Sequence, residues 1–281
     1  MIKRVVQSFI LVFLISCQSL SLKNISRKSG EDVLEKESML RFTKKRLKKI
    51  SHSNKNQLKS LALCYQGEIS QGLKSLNKNY AKNKNKPSYW NHIGTCYFLN
   101  DNISKARMFF QKSHFLAKKQ FSPALNNLGL LYLKEKQFEA SLRYFQQAIK
   151  VAPSSLTPQF NLGHLYLQLG QSKKAEDIFK KLYRINQKDI DVISALGSIA
   201  LTKGKIKESL AYFKKVSGKD LRRPDISLNY AMALTQANEK VKAKKVLANI
   251  ENHKDWANYR QSLEKVLDLS LIHISEPTRP Y

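Results

Sequence analysis

Cysteine, acid, clustered histidine and long apolar runs are all scarce in this chain, and each scarcity excludes a class of protein. Three cysteines among 281 residues give no disulfide framework. The six histidines, His52, His92, His114, His164, His253 and His273, lack metal-ligand spacing, and no HExxH, GxSxG or pair of carboxylates set on one wall of a pocket is present. There is no zinc module, glycine-rich phosphate loop or RNA-recognition signature. The longest apolar run near the N-terminus, VVQSFILVFLI, covers about eleven residues, too few to cross a bilayer. These gaps point away from catalysis, metals and cofactors. Acid is the last shortage: 21 Asp and Glu face 50 Lys and Arg, for a net charge of +29.

What the chain does have is a small residue that returns in a near-constant setting: Gly94, Gly129, Gly163, Gly197 and Ala231, at intervals of 35, 34, 34 and 34. An aromatic or apolar residue follows three places on (Tyr97, Tyr132, Tyr166, Ala200, Leu234) and a small one twelve places on (Ala106, Ser141, Ala175, Ser209, Ala243). Four further on stands a bulky apolar one: Phe110, Phe145, Phe179, Phe213, Leu247. Self-similarity at this period marks a stack of helix-turn-helix units.

In the clearest unit Leu125, Leu128, Gly129 and Tyr132 form one helical stripe, and Ser141, Tyr144, Phe145, Ala148 and Val151 form another that Pro153 ends. Pro87, Pro123, Pro158 and Pro224 fall at or near the start of first helices, where a missing N–H costs nothing, with Ser122 and Thr157 as candidate caps. The turn inside each unit falls on Asp101, Lys136, Gly170, Gly204 or Asn238. All but Lys136 are types that tolerate a left-handed backbone.

These residues resemble the tetratricopeptide repeat (TPR) family over about 55–255. Leu125, Gly129, Tyr132, Ser141, Phe145, Ala148 and Pro153 stand at the family's signature places, and Trp90 matches the aromatic it favours. The resemblance implies an all-α fold, a right-handed superhelical solenoid. Upstream, Leu58, Leu61, Ala62, Tyr65, Gly72 and Leu76 keep the same order with a turn about two residues shorter, which predicts a degenerate sixth unit. Trp256, Tyr259, Leu263, Val266 and Leu267 predict a capping helix over 256–268. Cys64 and Cys96 take equivalent places in adjacent units. Such places on stacked helices usually lie beyond the roughly 7 Å bridging limit, so both are expected to be buried free thiols.

Lys3 and Arg4, the apolar run and Leu14-Ile15-Ser16-Cys17 resemble a bacterial lipoprotein signal peptide over 1–16. The resemblance implies lipidation at Cys17 and tethering to the cell envelope, with Gln18 directing the chain to the outer membrane, facing the periplasm. An ordinary cleaved secretory signal is the alternative. Residues 17–54 then form a linker. Within it the 31–50 segment carries acid first and base last, as a helix dipole prefers. Its Arg41, Lys44, Lys45, Arg46, Lys48 and Lys49 make a patch suited to anionic headgroups, or else a solvated face. The final 269–281 segment resembles an adapter-derived tail foreign to the fold.

A charge of this size in a cytosolic protein suggests nucleic acid, but an export signal argues against that partner. Much of it is also what a Lys-, Asn- and Ile-rich composition brings. In the repeat family first helices line a concave groove. By matching places the groove here holds Asn91, Asn126, Asn127, Leu130, Phe160, Asn161, His164, Leu201, Asn229 and Met232. Asn127, Asn161 and Asn229 share one place and predict an amide ladder for the backbone of an extended peptide. The alternative use of those amides is to satisfy local backbone groups. The family's two-Lys, two-Asn carboxylate clamp is not reproduced, because Leu63 stands where asparagine is needed. The expected function is a membrane-tethered scaffold or assembly factor for a protein or peptide partner. A pilotin-like lipoprotein of type IV pilus biogenesis, or the recognition arm of a larger enzyme or sensor, are the alternatives.

Overall fold

The computed structural model describes residues 56–250 and 257–275, and among them every regular element is helical. Cys17, the basic linker patch at 41–49 and Trp256 lie outside the described residues. The described chain up to Ile178 forms one compact unit and that from Phe179 onward a second. The first holds α1 (Asn56–Tyr65), α2 (Ile69–Asn77), the short α3 (Tyr80–Asn83), α4 (Pro87–Leu99), α5 (Ile103–Leu116), α6 (Ser122–Lys134), α7 (Phe138–Val151) and α8 (Leu156–Gln168). Helix α9 (Ser172–Ile185) begins in it and ends in the second. The second holds α10 (Ile190–Thr202), α11 (Ile206–Phe213), a 3-10 turn at Asp220–Arg222, α12 (Pro224–Gln236), α13 (Lys240–Ala248) and α14 (Ala257–Ser275).

The repeating small residue exists because the second helix of each pair presses a ring against the first. A Cβ added to Gly94 would lie 2.6 Å from the Phe110 ring, one on Gly129 2.6 Å from Phe145, and one on Gly197 2.9 Å from Phe213. The three rings are fully buried. The small residue of the second helix closes the same contact: Ser141 Oγ donates to the Gly129 carbonyl at 2.9 Å and Ser209 Oγ to that of Gly197 at 2.8 Å. Both hydroxyls are thereby satisfied in places where other units carry alanine.

The turns share one solution. Asp101, Lys136, Gly170, Gly204 and Asn238 all adopt positive φ, between 59° and 71°, and so does Gly67 at 90°. The next N–H reaches back five residues to a helix carbonyl in every case, as in Gln137 to Tyr132 (2.9 Å) and Glu68 to Leu63 (3.0 Å), satisfying the exposed helix end. Lys136 takes this conformation without the freedom of glycine. Ser122 and Thr157, expected as caps, instead lie inside the first turns of α6 and α8, and neither helix has a side-chain cap bond.

Gly67 corrects the expected register of the first unit. It precedes Asp101 by 34 residues with the same bonding pattern, so the unit has full length and Ser60, not Ala62, stands where later units have glycine. Cys64 and Cys96 are therefore offset by two places rather than equivalent. Helix α1 packs on α4, and the two thiols, instead of being free, form a disulfide with Cα atoms 5.2 Å apart. Gly72 makes room for it: a Cβ there would fall 2.4 Å from Cys64 Sγ.

The interval of 35 has a physical location as well. Five residues separate α5 from α6, against four between α7 and α8 and between α9 and α10. The longer link contains two successive left-handed residues, Lys118 (φ 48°) and Lys119 (φ 63°).

In the second unit Phe213, Ile226, Leu234, Leu247, Leu263 and Leu267 share a core. Arg223, in the loop before α12, binds Asp191 of α10 at 2.7 Å and Asp225 of α12 at 2.6 Å, linking the first turns of two neighbouring first helices. Burial works against its charge, but the attraction of Asp191 and Asp225 and their hydrogen bonds outweigh it and raise its pKa above the ordinary value. Helix α14 runs to Ser275, past the boundary expected after Asp268. No helix breaker intervenes before Pro277, so the backbone continues.

Candidate protein-interaction surface

Successive first helices α4, α6 and α8 bring their asparagines to one level. Asn161 Nδ2 donates to Asn126 Oδ1 at 2.8 Å, Asn126 Nδ2 to Asn127 Oδ1 at 3.3 Å, and Asn127 Nδ2 to Asn91 Oδ1 at 3.0 Å. Asn127 Nδ2 also lies 3.4 Å from Thr95 Oγ1. The result is a directional chain of four amides across three helices, each at most 5% exposed. Buried amides must be paired, and the two pairs that cross between helices, Asn161 with Asn126 and Asn127 with Asn91, fix the spacing and rotation of neighbouring helices while Asn126 with Asn127 joins them within α6.

The other expected groove residues are distributed differently. Asn229 is half-buried and donates to the Asp225 carbonyl one turn back at 2.7 Å, so it stays within its own helix. Leu201 and Met232 belong to the hydrophobic core of the second unit, and Phe160 is buried with its ring centroid 4.5 Å from that of His164. Leu130 and His164 are only half-buried. They follow Gly129 and Gly163 directly, one residue beyond the packing stripe on adjacent first helices. The pairing of Asn126 with Asn161, rather than a row of like places, was not foreseeable from the repeat alone. Its one signal was the double asparagine at 126–127.

Neighbouring units are also tied at their rims. Arg107 of α5 pairs with Glu135 and lies over the Tyr132 ring, and Lys134 pairs with Asp101. Among the described residues no group of three or more His, Cys, Asp and Glu is placed to hold a metal ion, and no helix is long and apolar enough to cross a membrane.

Residues 120–188 match the profile of the tetratricopeptide repeat family. Among solved structures, the chain is similar to the Cut9-Hcn1 hetero-tetramer of the APC/C, with a TM-score of 0.64 at 19% identity over 82% of this chain and 45% of that one. It is similar to PilF of Pseudomonas aeruginosa, with a TM-score of 0.63 at 14% identity over 79% of this chain and 99% of that one. PilW, a widely conserved type IV pilus biogenesis factor, gives 0.59 at 17% identity over 75% and 100%. A segment of 95 residues is 32% identical to the human cilia- and flagella-associated protein 70, covering 29% of this chain and 8% of that protein. The chain thus spans under half the length of the Cut9-Hcn1 chain and a small part of the human protein. Its residues 120–188 are tetratricopeptide repeats, and its described helices have the TPR solenoid fold, an architecture suited to protein–protein interaction.

Proposed function

We propose that this protein is an envelope scaffold or assembly factor, tethered by a lipid on Cys17, that holds a protein or extended-peptide partner along first helices α4, α6 and α8. The observation that carries the binding surface is the amide chain from Asn91 to Asn161. Packed helices lie about 8–10 Å apart, close to the length of three residues of extended chain at roughly 3.3 Å each. A row of positions on helices held at that spacing therefore meets every third residue of a peptide. The buried amides set the spacing, and half-buried Leu130 and His164 stand beside them to make contact.

Photo-crosslinking groups at Leu130 and His164 should capture the same partner. The triple variant Asn127, Asn161 and Asn229 to alanine should lose it, and a thermal melt run alongside separates lost binding from lost folding. Partners retained by a folded triple variant would remove the amide chain from recognition. For the tether, Cys17→Ser should move the protein from the membrane to the soluble fraction.

A pilotin-like role in type IV pilus biogenesis is favoured by one observation: the fold matches PilF and PilW over 99% and 100% of their chains. Deleting the gene should then abolish surface pili. Normal piliation would leave the scaffold and discard this role.

A further inference from the structure

We propose that the C-terminal end of α5 and the turn after it form a second contact surface, one that rests on an anionic phospholipid bilayer. Soluble domains seldom expose large apolar side chains beside one another without a use. Here Phe115 is 78% exposed, Met108 53% and Leu116 36%. Met108, Lys112 and Phe115 follow one another at helical spacing on the open side of α5, and all three are exposed. Tyr80, 44% exposed, joins them through Trp90: their ring centroids are 6.2 Å apart, and Lys112 Nζ lies 3.4 Å above the Trp90 ring. Aromatic and aliphatic tips set among lysines are the composition that settles at a headgroup boundary.

The turn supplies the second, independent observation. The extra residue of the 35-residue interval is accommodated by the left-handed pair Lys118 and Lys119, both exposed, one residue beyond Phe115 and Leu116. A left-handed backbone is unfavourable for residues with a Cβ, and two in succession set this link apart from the four-residue links between α7 and α8 and between α9 and α10. The strained turn carries two charges to the apolar tip.

Charge selects the occupant. Between Glu68 and Glu135 the only acid is Asp101, and it pairs with Lys134 before the first turn of α5, on the order of 20 Å from Phe115 along a helix of 14 residues. No carboxylate within that stretch neutralises Lys112, Lys118 or Lys119. Such a surface meets anionic headgroups with its lysines and the acyl boundary with Phe115, whereas a zwitterionic bilayer has no net negative charge to attract it. The patch deepens the membrane part of the proposed function without using the groove.

The test uses the full chain carrying Cys17→Ser, so that no lipid contributes, and vesicles of phosphatidylcholine with or without phosphatidylglycerol. Sedimentation should show binding to the anionic vesicles alone, weakened by salt. Combining Phe115→Ser with Lys112, Lys118 and Lys119 to glutamine should weaken it roughly tenfold or more. All four side chains are exposed, so the variant should stay folded, which a cooperative melt checks. Phe115→Trp should gain a blue-shifted emission, relative to the parent chain, when anionic vesicles are added. Binding unchanged in the fourfold variant, binding abolished instead by neutralising the basic residues of 41–49, or an unshifted emission from the Phe115→Trp variant would each overturn the proposal. The Asn127, Asn161 and Asn229 variant should bind vesicles like its parent, so a failed groove and a failed patch are read separately.

Discussion

At the scale of single residues, the marker glycine and the ring it faces form one packing unit. Glycine stands opposite phenylalanine in the pairs Gly94/Phe110, Gly129/Phe145 and Gly197/Phe213, while the last repeat carries Ala231 with Leu247. A mid-helix Gly→Ala change ordinarily gains about 1 kcal/mol. At Gly129 the new Cβ would meet the Phe145 ring at 2.6 Å, and overpacking a core costs about 1–3 kcal/mol. Gly129→Ala should therefore destabilise, and adding Phe145→Leu should recover part of the loss, so that urea unfolding shows the double variant losing less than the sum of the singles. Strict additivity would mean that the pair is not coupled. Lys136 presents the opposite case, a left-handed residue with a Cβ and φ of 60°. That conformation costs about 1–2 kcal/mol, whereas glycine costs roughly 0.5–1 kcal/mol in chain entropy. Lys136→Gly should thus raise stability by about 0.5–1 kcal/mol, and Asn238→Gly by less, since asparagine tolerates this backbone better.

At the scale of elements, the disulfide decides how firmly the first repeat is held. It joins α1 to α4 across 32 residues, and a closed loop of that length is worth about 3–4 kcal/mol in the chain-entropy account. Terminal repeats have one neighbour only, so a covalent link matters most there. In a Cys17→Ser background, reduction should speed amide exchange in α1 and α2 and leave α12 and α13 unchanged. Equal effects at both ends would show that the stack unfolds as one block. Gly72→Ala should prevent bridge formation, because its Cβ would lie 2.4 Å from Cys64 Sγ and 2.7 Å from the Ser60 carbonyl, and in the Cys17→Ser background alkylation under denaturing, non-reducing conditions should then label two thiols per chain, against none in the parent. Helix pairs, turns and packing stripes were legible in the sequence because each depends on contacts within one repeat, such as Gly129 with Phe145. The disulfide was not, because Ser60 replaces the marker glycine and the small-residue cue slid two places to Ala62. The amide chain was legible only as asparagines near the marker. Whether Asn127 bonds a peptide, its own backbone or Asn91 depends on helix spacing, which no single repeat encodes.

At the scale of the whole molecule, 50 basic residues against 21 acidic ones must repel on balance. The described ion pairs offset little of this: Lys244 with Asp268 and Lys242 with Glu239 lie at the surface, where solvent screens such pairs. Among the described pairs Arg223 with Asp191 and Asp225 is the most deeply buried, and salt screens buried pairs weakly. Added salt therefore acts mainly on the repulsion, whose reach shrinks from about 10 Å at 0.1 M to about 3 Å at 1 M. The melting temperature should rise with sodium chloride over that range. Chloride is the suitable salt, because sulfate and phosphate also strengthen apolar burial and would mask the electrostatic effect. A variant with several exposed lysines changed to glutamine, for instance Lys173, Lys188 and Lys219, should start higher and respond less. Salt dependence of the melt is then a property of the folded chain alone, while salt-weakened vesicle binding belongs to Lys112, Lys118 and Lys119. The two respond to salt in opposite directions, so one titration, followed by melting and by sedimentation, distinguishes a composition-wide charge from a local site. A melting temperature that falls with chloride would show that surface pairs outweigh repulsion, and that the excess of lysine is spaced widely enough to cost the fold nothing.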